Sequence, residues 1–166
     1  MATAALLVPV FACGLFKYKR GDVPLTGKRL MGLDLGEKNI GVAVSDEMWL
    51  TAQPLLVLRR TKLKDDVRRI KELCAEYHVE EIVLGYPLNM NGSAGESAQE
   101  AENIREQILK ASSLTVHLWD ERLTTSYADK ALLEGDMSRS KRKKAKDKIA
   151  ASLILDSFLK ARNRQS

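Results

Sequence analysis

Three acidic residues far apart in the chain carry the chemistry that this sequence can do. Asp34 stands inside the apolar run "GLDLG", where a core strand would place Leu or Val. Glu121 stands in "DER", straight after another apolar run. Asp147 lies near the start of the last helical stretch, "DKIAASLIL". Carboxylates packed together repel one another and lose hydration, and both effects raise an acid's pKa. A divalent cation resolves the conflict, and oxygen-only ligands suit Mg²⁺ or Mn²⁺. Two such ions about 3.5–4 Å apart can clamp the attacking and leaving oxygens of a phosphodiester displacement. The chemistry on offer is therefore metal-assisted phosphodiester hydrolysis, provided that the fold brings the three acids together.

The elements that must do so follow from periodicity. Arg29–Gly36, Ile40–Ser45 and Leu50–Leu58 read as strands joined by short turns, hence an antiparallel meander, with Pro54 calling for an edge or irregular position. A helix follows over Leu63–Tyr77, with Thr61 as its expected cap and Leu63, Val67, Ile70, Leu73, Cys74 and Tyr77 on one face. A strand over Glu81–Tyr86 runs into the turn-rich "PLNMNGSAG". A helix over Glu96–Ala111 has Ala98, Ala101, Ile104 and Ile108 as its stripe. A strand over Thr115–Trp119, a helix near Thr125–Glu134 and a final helix from about Arg142 to Arg162 complete the order. Right-handed crossovers make strands four and five parallel to strand one. The expectation is an α/β fold with a five-stranded mixed sheet flanked by helices, its site at the C-terminal edge of the parallel strands.

That topology brings Asp34, "PLNMNG" and "DER" to one edge. On the last helix, Asp147 shares a face with Ala150, Ala151, Ile154 and Phe158, whereas Asp156 faces the other way. Asp120 competes with Glu121: alternation groups Asp120 with Val116 and Leu118, and Glu121 with His117 and Trp119, and the spacing favours Glu121. Asp46, which ends strand two, reads as a turn residue. His117 reads as a packed histidine, Trp49 and Trp119 as core or rim. Tyr86, beside the loop, reads either as a stacking platform or as a surface residue. Asn89, Asn91 and Gly92 either shape a turn whose amides meet phosphate or form a structural Asn-Gly turn.

Composition narrows the partners. The 166 residues carry 27 Lys and Arg against 22 Asp and Glu, a formal charge of +5. Seven of those basic residues fall within 138–148: Arg139, Lys141, Arg142, Lys143, Lys144, Lys146 and Lys148. A basic approach beside an acidic metal centre suits a polyanion, whose phosphates Lys143, Lys144 and Lys146 would orient without reading sequence. Cys13 and Cys74 form no disulfide framework and no ligand spacing. No apolar run reaches about 18 residues, so no membrane span is expected. Residues 1–27 read as an N-terminal extension, flexible or a transit segment, ahead of a catalytic domain over 28–166. The cytoplasm is the default compartment, and a chloroplast or mitochondrion the alternative if residues 1–27 are a transit segment.

"GLDLGEKNIGVAVSD", "GYPLNMNGSAGESA", "DERLTT" and "DKIAASLIL" occur in the order and spacing of the YqgF/RuvX family, which this chain resembles over about Arg29 to Leu159. The resemblance implies an RNase H-like fold related to the RuvC resolvases and a Mg²⁺- or Mn²⁺-dependent nuclease. It implies Asp34, Glu121 and Asp147 as catalytic and metal-binding residues. Lys143, Lys144, Lys146, Asn89 and Arg122 are the candidate substrate contacts. The substrate it implies is structured RNA, a pre-16S-type ribosomal RNA trimmed at its 5′ end, cut by a monomer or a homodimer. Four-way junction DNA is the alternative substrate, and a non-catalytic RNA-binding assembly factor the alternative class. Asn91 and Tyr86 depart from the aspartate and leucine common at those positions, and the extension is unusual for bacterial members.

Overall fold

The computed structural model describes residues 27–123 and 139–164, with 139–148 as helix backbone. The expected helix at 125–134 and the extension before residue 27 lie outside the described residues. Strands β1 (Arg29–Leu35), β2 (Asn39–Ser45) and β3 (Ala52–Arg59) form an antiparallel meander. Helix α1 (Leu63–Glu76), β4 (Val79–Tyr86), α2 (Glu96–Ala111) and β5 (Thr115–Asp120) follow. A short 3₁₀ turn (Glu121–Leu123) ends β5, and α3 (Arg139–Asn163) closes the described chain. The sheet order is β3-β2-β1-β4-β5, with β4 parallel to β1 and β5 parallel to β4. The five-stranded mixed sheet expected from the sequence is thus the sheet observed.

Each face of the sheet has its own core. On one side α1 and α2 cover Met31, Leu33, Ile40, Val42, Ile82 and Leu84 with Val67, Ile70, Cys74, Ala101, Ile104 and Ile108. On the other, α3 lays Ala151, Ile154, Leu155 and Leu159 on Leu30, Ala43 and Val83. A fully buried Leu or Ile contributes roughly 1.5–3 kcal/mol, so the apolar stripes of α1, α2 and α3 account for how the layers stack. Among the described residues no helix is long and apolar enough to cross a membrane.

Pro54 sits on edge strand β3, opposite Ala43, where the register slips past Leu55. A residue without an N–H is tolerated at such a place. Thr61 does not cap α1. Lys62 occupies the cap position with no side-chain bond, and the relation is reversed: the buried Asp66 carboxylate accepts Thr61 N at 3.1 Å and Thr61 Oγ1 at 2.8 Å. A buried acceptor inside the first turn draws back the residue before the cap. Asp46 behaves as the turn residue expected, its Oδ1 accepting Leu50 N at 2.7 Å and Thr51 N at 3.2 Å.

One cluster anchors the far end of α3. Glu81 Oε2 accepts His117 Nε2 at 2.7 Å and Arg162 Nη1 at 2.8 Å. The Arg162 guanidinium also lies 4.5 Å from the Trp49 ring centre, and Phe158 packs against His117 and Trp119. His117 is therefore the packed histidine expected, and both tryptophans belong to the rim of the second core.

Candidate active site

Asp34 is reached through the pleat of β1. Leu30, Gly32 and Asp34 alternate onto one face, because side chains two apart on a strand share a side. That face is the one α3 covers: Leu30 packs in the α3 core, and a Cβ on Gly32 would fall 2.7 Å from the Ala151 carbonyl and 2.8 Å from Leu155 Cβ. Gly32 thus lets the helix approach the sheet closely, and Asp34, partly exposed, follows one step nearer the C-terminal edge.

The sheet leaves room on both sides of Asp34. Gly41 pairs with it on β2. On β4, the position after the Leu33–Leu84 pair is Gly85, whose own partner on β5 is Trp119. The row therefore reads Gly41, Asp34, Gly85, Trp119. Glu121, from the 3₁₀ turn after β5, folds back over the notch at Gly85. A Cβ there would overlap the Glu121 carboxylate and lie 2.8 Å from Ile154 Cδ1. Gly85 thus makes the space in which the second acid lies beside the first. Burial, then the charges of Asp34 and Asp120, push Glu121 from an ordinary 4.5 up to about 7.

Asp120 is turned to another task. Arg122 grips it as a fork, with Nε donating to both carboxylate oxygens at 3.0 Å and Nη2 donating to Oδ2 at 2.6 Å. Arg122 N closes the loop on Oδ1 at 3.0 Å. These bonds hold Asp120 below the usual carboxylate range, so it remains ionised. Between the two acids that alternation left open, Glu121 is the one against Asp34.

Asp147 lies in the backbone of α3. It is four residues, one helical turn, before Ala151, on the stripe that continues through Leu155 and Leu159. A turn advances a helix by about 5.4 Å and two residues advance a strand by about 6.6 Å. Stepping back along α3 from the Gly32 contact therefore keeps pace with stepping forward along β1 to Asp34. The side chains of Asp147, Lys143, Lys144 and Lys146 lie outside the described residues. Among the described residues no cluster of three potential metal ligands forms. The pair that is described, two carboxylates sharing a partly buried notch, has the hard oxygen donors that suit Mg²⁺ or Mn²⁺.

The loop after β4 closes its Asn-Gly turn with its own hydrogen bonds. Asn89 N donates to Ser93 O, Gly92 N to Asn89 O, and Ser93 N to Asn91 Oδ1, at 2.8–3.0 Å. Gly92 holds φ at +80°, which favours glycine. Those three amides are engaged inside the turn, and the Asn89 side chain donates to Ser93 Oγ at 2.9 Å. Asn89 therefore stands at the edge of the site as a shaper of the loop. A Cβ on Gly92 would lie 3.9 Å from Arg122 Nη1, so the loop borders the fork. The Tyr86 hydroxyl donates to Glu102 at 2.5 Å.

Gly41 and Gly85 are the site residues that reasoning from side-chain chemistry passed over. The available signal was a glycine inside an apolar strand, in "NIGVAV" and "IVLGY", which marks a close approach.

Comparison with known proteins finds relatives over nearly the whole of this domain. Residues 28–161 match the family described as "RuvX: Holliday junction resolvase". A protein of Carboxydothermus hydrogenoformans named "Putative pre-16S rRNA nuclease" is 50% identical over 131 residues, which cover 79% of this chain and 95% of that protein. A Clostridium botulinum protein of the same name is 49% identical over 131 residues, 79% of this chain and 96% of its own. Among solved structures, Thermus thermophilus RuvC in complex with a Holliday junction substrate superposes with a TM-score of 0.55 at 14% identity. That match covers 84% of this chain and 98% of that one, and it shows a shared fold.

Proposed function

The chain belongs to the RuvX family, and from that premise we propose that it is a divalent-metal-dependent nuclease that hydrolyses phosphodiester bonds of structured RNA. The substrate we assign is a pre-16S-type ribosomal RNA, which the names of the relatives near 50% identity support, and the step we assign is maturation of its 5′ end. One observation carries the reading: Glu121 folds over the Gly85 notch beside Asp34, placing two carboxylates in a partly buried space at the C-terminal edge of the parallel strands.

The residues divide the work. Asp34 and Glu121, with Asp147 as the third ligand, would hold Mg²⁺ or Mn²⁺. When bound, these ions supply charge neutralisation and a water acidified for in-line attack on phosphorus. Gly85 and Gly41 keep the floor of the site free of side chains, so that the reacting phosphate can approach the acids. Arg122 holds the Asp120 carboxylate and keeps the 3₁₀ turn in the shape that delivers Glu121. Lys143, Lys144 and Lys146 on the first turns of α3 would steer the RNA backbone toward the acids.

The test is cleavage of precursor ribosomal RNA, an unrelated structured RNA and four-way junction DNA, each with Mn²⁺ and with chelator. The expected result is metal-dependent cutting of the precursor by the unaltered chain, and none by Asp34→Asn, which still folds and binds RNA. Cutting by Asp34→Asn in Mg²⁺ would remove the site assignment. The family description favours one rival substrate, the Holliday junction. Preference for the junction over every RNA, by a dimer, would move the assignment there.

A further inference from the structure

Cations at the sheet's C-terminal edge are placed so that they do not neutralise the acids. On β3, Val57 pairs with Gly41, the partner of Asp34, and Arg59 pairs with Asn39. Paired residues share a face and so do residues two apart on a strand, so Arg59 lies on the Asp34 face, one step farther out. Two strand spacings across and two residues along put its backbone about 12 Å from that of Asp34. Lys38, in the turn between β1 and β2, is the adjacent cation. Both are exposed. Among the described residues, neither has a carboxylate within ion-pair distance.

Their neighbours are engaged. Arg60 Nη1 donates to Gly36 O at 3.1 Å and its Nη2 pairs with Glu100. Arg69 Nη1 donates to the Arg59 carbonyl at 3.3 Å, which fixes the end of the strand that carries Arg59. Glu37, Lys38, Arg59, Arg60, Thr61 and Glu100 line a cavity of about 480 Å³. Arg60 matches Glu100 there, and Glu37 is the one further acid among the lining residues.

Resting on the nuclease reading, we infer that Arg59 and Lys38 are backbone-phosphate contacts of the substrate, on the β3 side of the scissile bond. The roughly 3.4 Å per charge is a rise along the duplex axis, and successive phosphates of one strand lie farther apart than that through space, so about 12 Å is fewer than three or four steps and the contacts fall within the first few nucleotides of the cut. The bound strand would run across the edge from the β5 side, past Asp34 and Glu121, and leave over the β1–β2 turn. The contacts orient the strand without reading its bases.

The experiment measures RNA binding in Mg²⁺ by the Asp34→Asn chain, alone and with Arg59→Glu, Lys38→Glu, both together, or Lys110→Glu. Lys110, at the end of α2 by the opposite edge, makes the same change in net charge away from the site. Each loss of a phosphate contact is expected to flatten the dependence of log K on log[salt] by roughly 0.7–0.9, while Lys110→Glu leaves it unchanged. On RNA trimmed to end at the cut on one side only, the Arg59 and Lys38 variants should bind as the parent does; trimming the other side should preserve the difference. Slopes equal to that of Lys110→Glu, or a difference that survives both trimmings, would overturn the inference while leaving metal-dependent cleavage by the unaltered chain intact. A parent chain that neither binds nor cuts any nucleic acid would overturn this inference and the nuclease reading together.

Discussion

Glu121 gives the sharpest quantitative handle on the site. Burial and the charge of Asp34 raise its pKa from 4.5 to about 7. A raised carboxyl binds its proton more tightly in the folded state than in the unfolded one. Its contribution to stability is therefore greatest below about 4.5, falls as pH rises toward 7, and is lost above that. A shift of this size corresponds to at most about 3 kcal/mol at 1.36 kcal/mol per unit. Glu121 is partly exposed, so solvent screening brings the expected figure to about 1–2 kcal/mol. Glu121→Gln removes the ionisable group and preserves its shape. In EDTA, the variant should match the unaltered chain near pH 4 and exceed its stability at pH 8 by that amount, a few degrees in melting temperature. Urea unfolding across this pH range measures the difference directly. Adding Mg²⁺ or Mn²⁺ at pH 8 should reverse the order, since an ion at 100 times its Kd stabilises by about 2.7 kcal/mol and the amide is a poor ligand. A difference that does not change with pH, or a variant less stable than its parent in EDTA at pH 8, would refute the reasoning that two carboxylates crowd this notch.

Gly85→Ala should place a methyl group where the Glu121 carboxylate and Ile154 Cδ1 now lie, costing about 1–3 kcal/mol by overpacking. Metal-dependent cleavage should fall much further than that loss of stability explains, as measured by single-turnover kinetics on the folded fraction. Glu81→Gln should loosen the far end of α3. Burial pushes this carboxyl up, but the hydrogen bonds from Arg162 and His117 outweigh it and hold it below its ordinary value. Its stabilisation is thus present above about 4.5 and lost as pH falls through the lower folded value. The variant should be less stable than its parent by about 1–2 kcal/mol at pH 7, with the gap closing in acid unfolding curves.

Much of the architecture was legible because it rests on periodicity and chain length. Of the expected stripes, Val67, Ile70 and Cys74 on α1 and Ala98, Ala101, Ile104 and Ile108 on α2 are buried, and Leu63, Leu73 and Tyr77 pack partly buried against the same core. Short turns dictated the meander and helical crossovers dictated the parallel strands, so Asp34 and the "DER" segment had to emerge at one edge. The helix cap was misread at Thr61 because a sequence pattern cannot tell which partner in a short loop is buried. Asp66 is, and a buried carboxylate gathers donors around itself.

The sequence by itself determined which acids are available and which edge receives them, since alternation and handedness are properties of the backbone. Spacing favours Glu121 over Asp120, but only the tertiary structure gives the physical reason. The period of two ends with β5 at Asp120, and in the 3₁₀ turn that follows, the direction of a side chain is set by what surrounds it. Arg122 captures one carboxylate, and the absent side chain of Gly85 admits the other. Neither a salt bridge two residues long nor a void on the neighbouring strand is visible until the chain is folded, because each depends on distances through space that spacing along the chain does not encode.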